Sequence, residues 1–159
     1  MSFELLSHPA DARFRATGAT LEEAFAESTR AFAAISEGGG DDSRRFEIEV
    51  ESEDRQALLF DYLAELVLLQ ELEGVAVSRA EGVEIEERGA GDGYALRATV
   101  LAGPIGEPLF DVKSPTYSEM RVERVPTRST ERASDASGDD ASRAADRSSE
   151  WVLEATLDI

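Results

Sequence analysis

The sequence predicts an α+β fold, a mainly antiparallel sheet packed with two long helices in a single domain. Three observations lead to it. Two segments, at 20–35 and about 54–72, carry apolar residues at helical spacing. Short stretches with two-residue alternation outnumber them. Those stretches are mostly consecutive rather than interleaved with helices, which disfavours a parallel βαβ arrangement. A chain of 159 residues, 42% of them hydrophobic, suits one core.

The elements follow in order. Residues 3–7 and 13–17 read as short strands around Ser7-His8-Pro9-Ala10-Asp11, where Pro9 cannot continue a ladder and holds His8 extended. Thr20 with Glu23 three residues on forms a capping box. Leu21, Ala24, Phe25, Ser28, Phe32 and Ile35 then share one helix face, with Glu22, Glu23 and Glu27 assigned to solvent. Gly38, Gly39 and Gly40 end that segment. Phe46, Ile48 and Val50 alternate with charges over 44–50, as in a half-buried strand. The second helix, capped by Ser52 or Asp54, is apolar over much of its girth and so is expected to be the central core element. Strands are expected at 75–79, 83–88, 94–101, 109–113, 119–125 and 151–157, with Gly89–Gly93 as a hairpin loop. Residues 127–149 contain no Val, Leu, Ile, Phe, Tyr or Trp and cannot offset their ordering entropy by burial. They are expected to form a disordered, acidic and Ser-rich loop, a solvated spacer within the single domain 1–159.

Charge narrows the function classes. Asp and Glu total 34 against 16 Lys and Arg, a formal net charge of -18, and Lys113 is the only lysine. So acidic a chain repels phosphate backbones, so no direct nucleic-acid binding through a basic patch is expected. The acidic residues are spread along most of the chain. That favours adaptation to high internal salt, where a Debye length of about 3 Å screens self-repulsion, over a dedicated acidic interaction surface. No apolar run approaches the roughly 18 residues of a membrane span, and no signal peptide is evident. The absence of cysteine excludes disulfides and thiolate metal sites and fits a cytoplasmic location.

Few residues can carry chemistry. His8 is the single histidine, and there is no nucleophile elbow, Walker loop or dinucleotide fingerprint. Gly38–Gly40 precedes a strand, where a phosphate loop should meet a helix. Three acids stand out: Asp11 after the Pro-Ala turn, Asp61 inside the apolar helix, and Asp158 in Leu157-Asp158-Ile159. Each also has an ordinary reading, as a turn-former, as part of a polar stripe Asp54–Asp61–Glu65, and as a frayed end respectively. If they converge, an oxygen-only set suits a hard cation such as Ca²⁺, Mg²⁺ or Mn²⁺, with His8 as an optional nitrogen ligand. The strand Trp151–Leu157 alternates Trp151, Leu153, Ala155 and Leu157 on one face, so its end is expected to be held in a sheet. The Ile159 carboxylate then becomes a further possible oxygen ligand beside Asp158.

Four stretches, in order along nearly the whole chain, resemble the archease family. His8-Pro9-Ala10-Asp11 is similar to the family's His-Thr-Ala-Asp signature and is followed by Thr20-Leu21-Glu22-Glu23-Ala24-Phe25. Leu58-Leu59-Phe60-Asp61-Tyr62-Leu63-Ala64-Glu65-Leu66 resembles the central helix, with Glu73-Gly74 just after it. Val112-Lys113-Ser114-Pro115-Thr116-Tyr117 is similar to Val-Lys-Ala-Val-Thr-Tyr, and Leu157-Asp158-Ile159 matches the usual ending. The resemblance implies an α+β accessory protein for an RtcB-type RNA ligase of tRNA splicing. Such a protein promotes guanylylation of the ligase histidine and multiple turnover, and its metal-site acids map onto Asp11 and Asp158, and onto Asp61 less directly. Arg13 stands where glycine is common, Ser118 where a histidine is usual, and 127–149 is an insertion relative to compact members. The leading expectation is therefore a non-enzymatic activator presenting a divalent cation held by Asp11, Asp158, Ile159 and Asp61. The alternatives are a metal-dependent phosphoester hydrolase using His8, and a chaperone-like binding module without a metal.

Overall fold

The computed structural model describes residues 2–6, 11–36, 42–105, 114–126 and 149–158. The elements are β1 (Ser2–Leu6), β2 (Asp11–Gly18), α1 (Leu21–Ile35), β3 (Arg44–Ser52), α2 (Arg55–Glu73), β4 (Val75–Glu87), α3 (Gly89–Asp92), β5 (Tyr94–Pro104), β6 (Ser114–Pro126) and β7 (Ser149–Asp158). Among the described residues all strand pairs are antiparallel, in a four-stranded sheet of order β1-β2-β7-β6 and a three-stranded sheet of order β3-β5-β4. The α+β expectation holds, with the strands divided between two sheets.

Helix α1 starts as its sequence requires. The Thr20 side chain accepts from the Glu23 backbone N–H while the Glu23 carboxylate accepts from the Thr20 N–H, satisfying donors the first turn leaves open. Its apolar residues Leu21, Ala24, Phe25, Phe32 and Ile35 are all buried. Glu27 departs from the expected solvent side. It is 2% exposed and held by Arg30 Nη1 at 3.2 Å, one turn along the same helix. A guanidinium at the rim supplies the partner that lets a carboxylate lie beneath the surface.

Helix α2 is capped by Asp54, which accepts from Ala57 N–H at 2.8 Å, and it ends on Gly74 in the left-handed conformation that glycine adopts without a Cβ clash. Leu58, Leu59, Tyr62, Leu63, Leu66 and Val67 enter the core. The Tyr62 hydroxyl shares a 2.6 Å hydrogen bond with Thr29 of α1. Burial pushes that phenol well above its ordinary range, so it stays neutral at any ordinary pH. One apolar cluster joins α1, α2 and the inner faces of both sheets.

The two strands expected at 75–79 and 83–88 are one strand, β4, whose register against β5 shifts between Val77 and Arg79 and between Glu81 and Glu84. Gly82, with φ 60°, lies in the second irregularity and gave the sequence its appearance of a break. The expected hairpin loop contains the short α3. It closes at Gly93, where φ is 82° and an added Cβ would lie 2.3 Å from the Ser52 carbonyl oxygen. The expected strand 119–125 is part of the longer β6. That of 109–113 lies outside the described residues, as does the expected spacer 127–149 except for Ser149, which pairs with Pro126.

Strand β6 contains the one non-glycine residue with positive φ among those described, Glu119 at 55°. It sits in the irregularity between Thr116 and Arg121. Holding an L-residue in this region costs about 1–3 kcal/mol, most for β-branched side chains. Glu119→Gly is expected to keep or raise the thermal midpoint, and Glu119→Val to lower stability by about 1–2 kcal/mol. Circular-dichroism melts of the two variants in one buffer decide it. Equal midpoints would show that the turn carries no strain.

Candidate functional site

Strand β7 lies between β2 and β6, and its residues Val152 to Leu157 are buried in sequence. Leu153, Ala155 and Leu157 pack into the core with Phe14 and Ala16 of β2. Strand alternation therefore sends Val152, Glu154, Thr156 and Asp158 to the opposite, outer face. This is why the end of the chain's last described strand is well placed: its inner residues anchor it in the core and its neighbours hold it on both edges.

The backbone register brings Asp11, Asp158 and Ser114 side by side on β2, β7 and β6. Directly opposed residues of an antiparallel ladder have Cα atoms about 4.5–5.5 Å apart. Two of the acids singled out in the sequence, 147 positions apart in the chain, thus meet at one end of the four-stranded sheet. Asp158 is half-buried. Ile159 and His8 lie outside the described residues.

Asp61 is engaged elsewhere. It is half-buried on α2 and accepts a 2.6 Å hydrogen bond from Ser52 Oγ at the end of β3, in the other sheet. Ser52, one of the two expected caps of α2, serves instead to hold this carboxylate. Beside it the Tyr117 ring stacks on Phe60 with centroids 4.3 Å apart and planes 5° from parallel. Partial desolvation, then the charges of Asp61 and Asp54, push the Tyr117 hydroxyl above its ordinary value. Among the described residues, no group of three or more His, Cys, Asp or Glu is gathered closely enough to hold a metal ion. What the described structure supplies toward a cation is the Asp11–Asp158 register, with the Ser114 position next to it.

Two residues along the outer face from Asp158 is a feature the sequence reading missed. Glu154, 7% exposed, accepts from Arg15 Nε at 2.6 Å, with Arg13 Nη2 at 3.8 Å and Arg121 Nη1 at 3.9 Å. Arg15 also pairs with Glu4, and its guanidinium is held further toward the charged form, first by the Glu154 hydrogen bond. Arg13 Nε is buried without a hydrogen-bond partner, its nearest acid being Glu119 at 3.8 Å. The signal was present in the alternation Arg13-Phe14-Arg15 and Leu153-Glu154-Ala155, where charges interrupt two strands whose other residues are apolar. It could not be read until the pairing of β2 with β7 was known.

The model of the Archease protein family matches residues 3–159. The chain belongs to the archease family. It is 38% identical over 130 residues to Protein archease of Thermococcus gammatolerans, covering 78% of this chain and 89% of that one. It is 35% identical over 131 residues to Protein archease of Pyrococcus furiosus, with the same coverage. The fold is similar to the solution structure of Methanobacterium thermoautotrophicum protein 1598, with a TM-score of 0.70, 25% identity and 99% of each chain covered. The archease resemblance seen in four short motifs thus extends over nearly the whole chain. No helix among the described residues is long and apolar enough to cross a membrane.

Proposed function

We propose that this archease-family chain is a non-enzymatic activator of an RtcB-type RNA ligase in tRNA splicing, acting in the cytoplasm through a divalent cation held at Asp11 and Asp158. The observation that supports it is the cross-strand register of those two residues in a chain of this family. Two carboxylates on neighbouring strands suit a hard cation, Ca²⁺, Mg²⁺ or Mn²⁺, better than a soft one. The Ile159 carboxylate, one residue beyond Asp158, is assigned as a further ligand. Asp61 is given a supporting part only, because Ser52 already occupies one of its oxygens. A cation held by Asp11 and Asp158 would supply positive charge to offset phosphoryl charge during guanylylation of the ligase. Asp11 and Asp158 would hold it at one end of a sheet whose centre is fixed in the core. The overall charge of -18 fits work at high salt and docking to a protein rather than to RNA.

The test is guanylylation of the purified ligase with and without this protein. Acceleration with no turnover of a phosphoester by the protein alone is the expected outcome. Unaided phosphoester hydrolysis would establish the hydrolase alternative. Stimulation that survives metal removal would establish the binding module. A residue appended after Ile159 is expected to weaken metal binding at least several-fold by calorimetry, while one added before Met1 leaves it unchanged. Equal affinities would remove the Ile159 carboxylate from the site.

A further inference from the structure

The outward side of α2 does not look like a helix meant only for water. At 100° per residue, the buried set Leu58, Leu59, Tyr62, Leu63, Leu66 and Val67 places Ala57, Ala64 and Leu68 opposite the core, with Leu72 about 40° beyond Leu68 on the same i, i+4 row. A surface helix normally turns its charges to this side. Here Leu68 is 43% and Leu72 is 72% exposed in a chain that is 31% charged. The ridge continues toward the helix start through half-buried Phe60 to Tyr117, whose ring is stacked on it and 54% exposed. Asp61 and Glu65 run along one flank and Glu71 along the other, all acidic. The ridge is therefore continuous, presents a rigid aromatic at one end, and carries a border of a single sign.

We propose that this face of α2, from Tyr117 through Phe60, Ala64 and Leu68 to Leu72, docks a protein surface made of apolar side chains bordered by arginine or lysine; on the functional reading above, that surface belongs to the ligase. The border selects the partner's sign, because apposed carboxylates would repel an acidic contact whereas guanidinium or ammonium groups pair with them. Salt at molar strength confines these charges to contact range, so the apolar ridge carries the affinity and the acids exclude wrong partners. Tyr117 is the expected anchor, as large, rigid aromatics dominate such contacts. Tyr117 lies three positions along β6 from Ser114, the register neighbour of Asp158, so the docking face adjoins the proposed cation site.

The experiment titrates the purified RtcB-type ligase from the same organism with this protein, in one high-salt buffer, by calorimetry or sedimentation velocity. The double variant Leu68→Glu, Leu72→Glu is expected to bind at least ten-fold more weakly with an unchanged melting temperature, both side chains being exposed. Leu5→Glu, at a leucine 51% exposed on β1, is expected to bind like wild type. Glu65→Lys with Glu71→Lys is expected to weaken binding too, and undiminished affinity there would overturn the basic character of the partner. Wild-type affinity in the leucine double variant would overturn the docking face. Concentration-dependent self-association of the free protein, lost in that variant, would assign the ridge to a second copy and overturn the proposal as well. If wild type does not bind the ligase at all, the functional reading fails first, and the assignment of the partner falls with it.

Discussion

Asp158→Asn is expected to abolish stimulation of ligase guanylylation while leaving the protein folded, and Asp11→Asn to do the same. Asparagine keeps the size of aspartate and can still accept a hydrogen bond, but it lacks the negative charge that a hard cation requires. The two residues are register partners in the β2–β7 ladder, so each variant removes one of the two proposed carboxylate ligands. The strands should survive because their hold is elsewhere, in Phe14, Leu153, Ala155 and Leu157 of the core face, all fully buried. Calorimetric titration with Mn²⁺, Mg²⁺ and Ca²⁺ separates the effects. Affinity should be lost in both variants and largely kept in Asp61→Asn, whose oxygen is committed to Ser52. Unchanged affinity in the first two would remove the site, whatever happened to stimulation.

Glu154→Ala is expected to be the most destabilising polar substitution on the four-stranded sheet. Removing this carboxylate takes away the one acid that Arg13, Arg15 and Arg121 share and leaves them only their separate, more exposed partners Glu119, Glu4 and Glu123. Loss of one partner from a buried pair costs about 3–5 kcal/mol. The Arg15 and Arg121 side chains are 40% and 38% exposed, so solvent screens part of the repulsion and about 2 kcal/mol is the expected loss. In a domain of this size that corresponds to roughly 4–8 °C in the thermal midpoint. Glu154→Gln, which keeps the shape and one acceptor, should lose less. Matching melts for wild type and Glu154→Ala would show that the arginines relax into solvent without penalty.

The local parts of this fold were legible because local chemistry specifies them. Thr20 with Glu23, and Asp54 ahead of α2, declare helix starts through hydrogen bonds spanning three residues. Alternation in Phe46-Glu47-Ile48-Glu49-Val50 declares a strand with one dry face. The division into two sheets was not legible, since pairing of β2 with β7 joins residues more than a hundred positions apart and leaves no mark on either segment alone. Periodicity misassigned Glu27 because helical position says which way a side chain leaves the axis, and not whether a sheet covers it there. Asp61 was drawn toward the metal set as an acid within an apolar run. Its neighbour Ser52, nine positions earlier, gives it a structural partner that only the packing of α2 on β3 reveals. Asp11 and Asp158 were singled out by their motifs, and the ladder supplies the proximity that the motifs could not.

The position of β7 between β2 and β6 also sets how this protein opens. Its backbone is hydrogen-bonded on both edges, to β2 from the other end of the chain and to β6, so β7 cannot peel away without separating the sheet. Amide hydrogens near the middle of β7 should therefore exchange only through the globally unfolded state, while those of the edge strand β1 escape by local fraying. A ligand gripped at the end of such a strand is coupled to the stability of the entire sheet. Metal bound between Asp11 and Asp158 would slow exchange across β2, β7 and β6 together, by the factor 1 + [L]/Kd that mass action prescribes. Occupancy at one end would thus be legible some twenty ångströms away, at the Trp151 end of the strand, taking about 3.4 Å per residue.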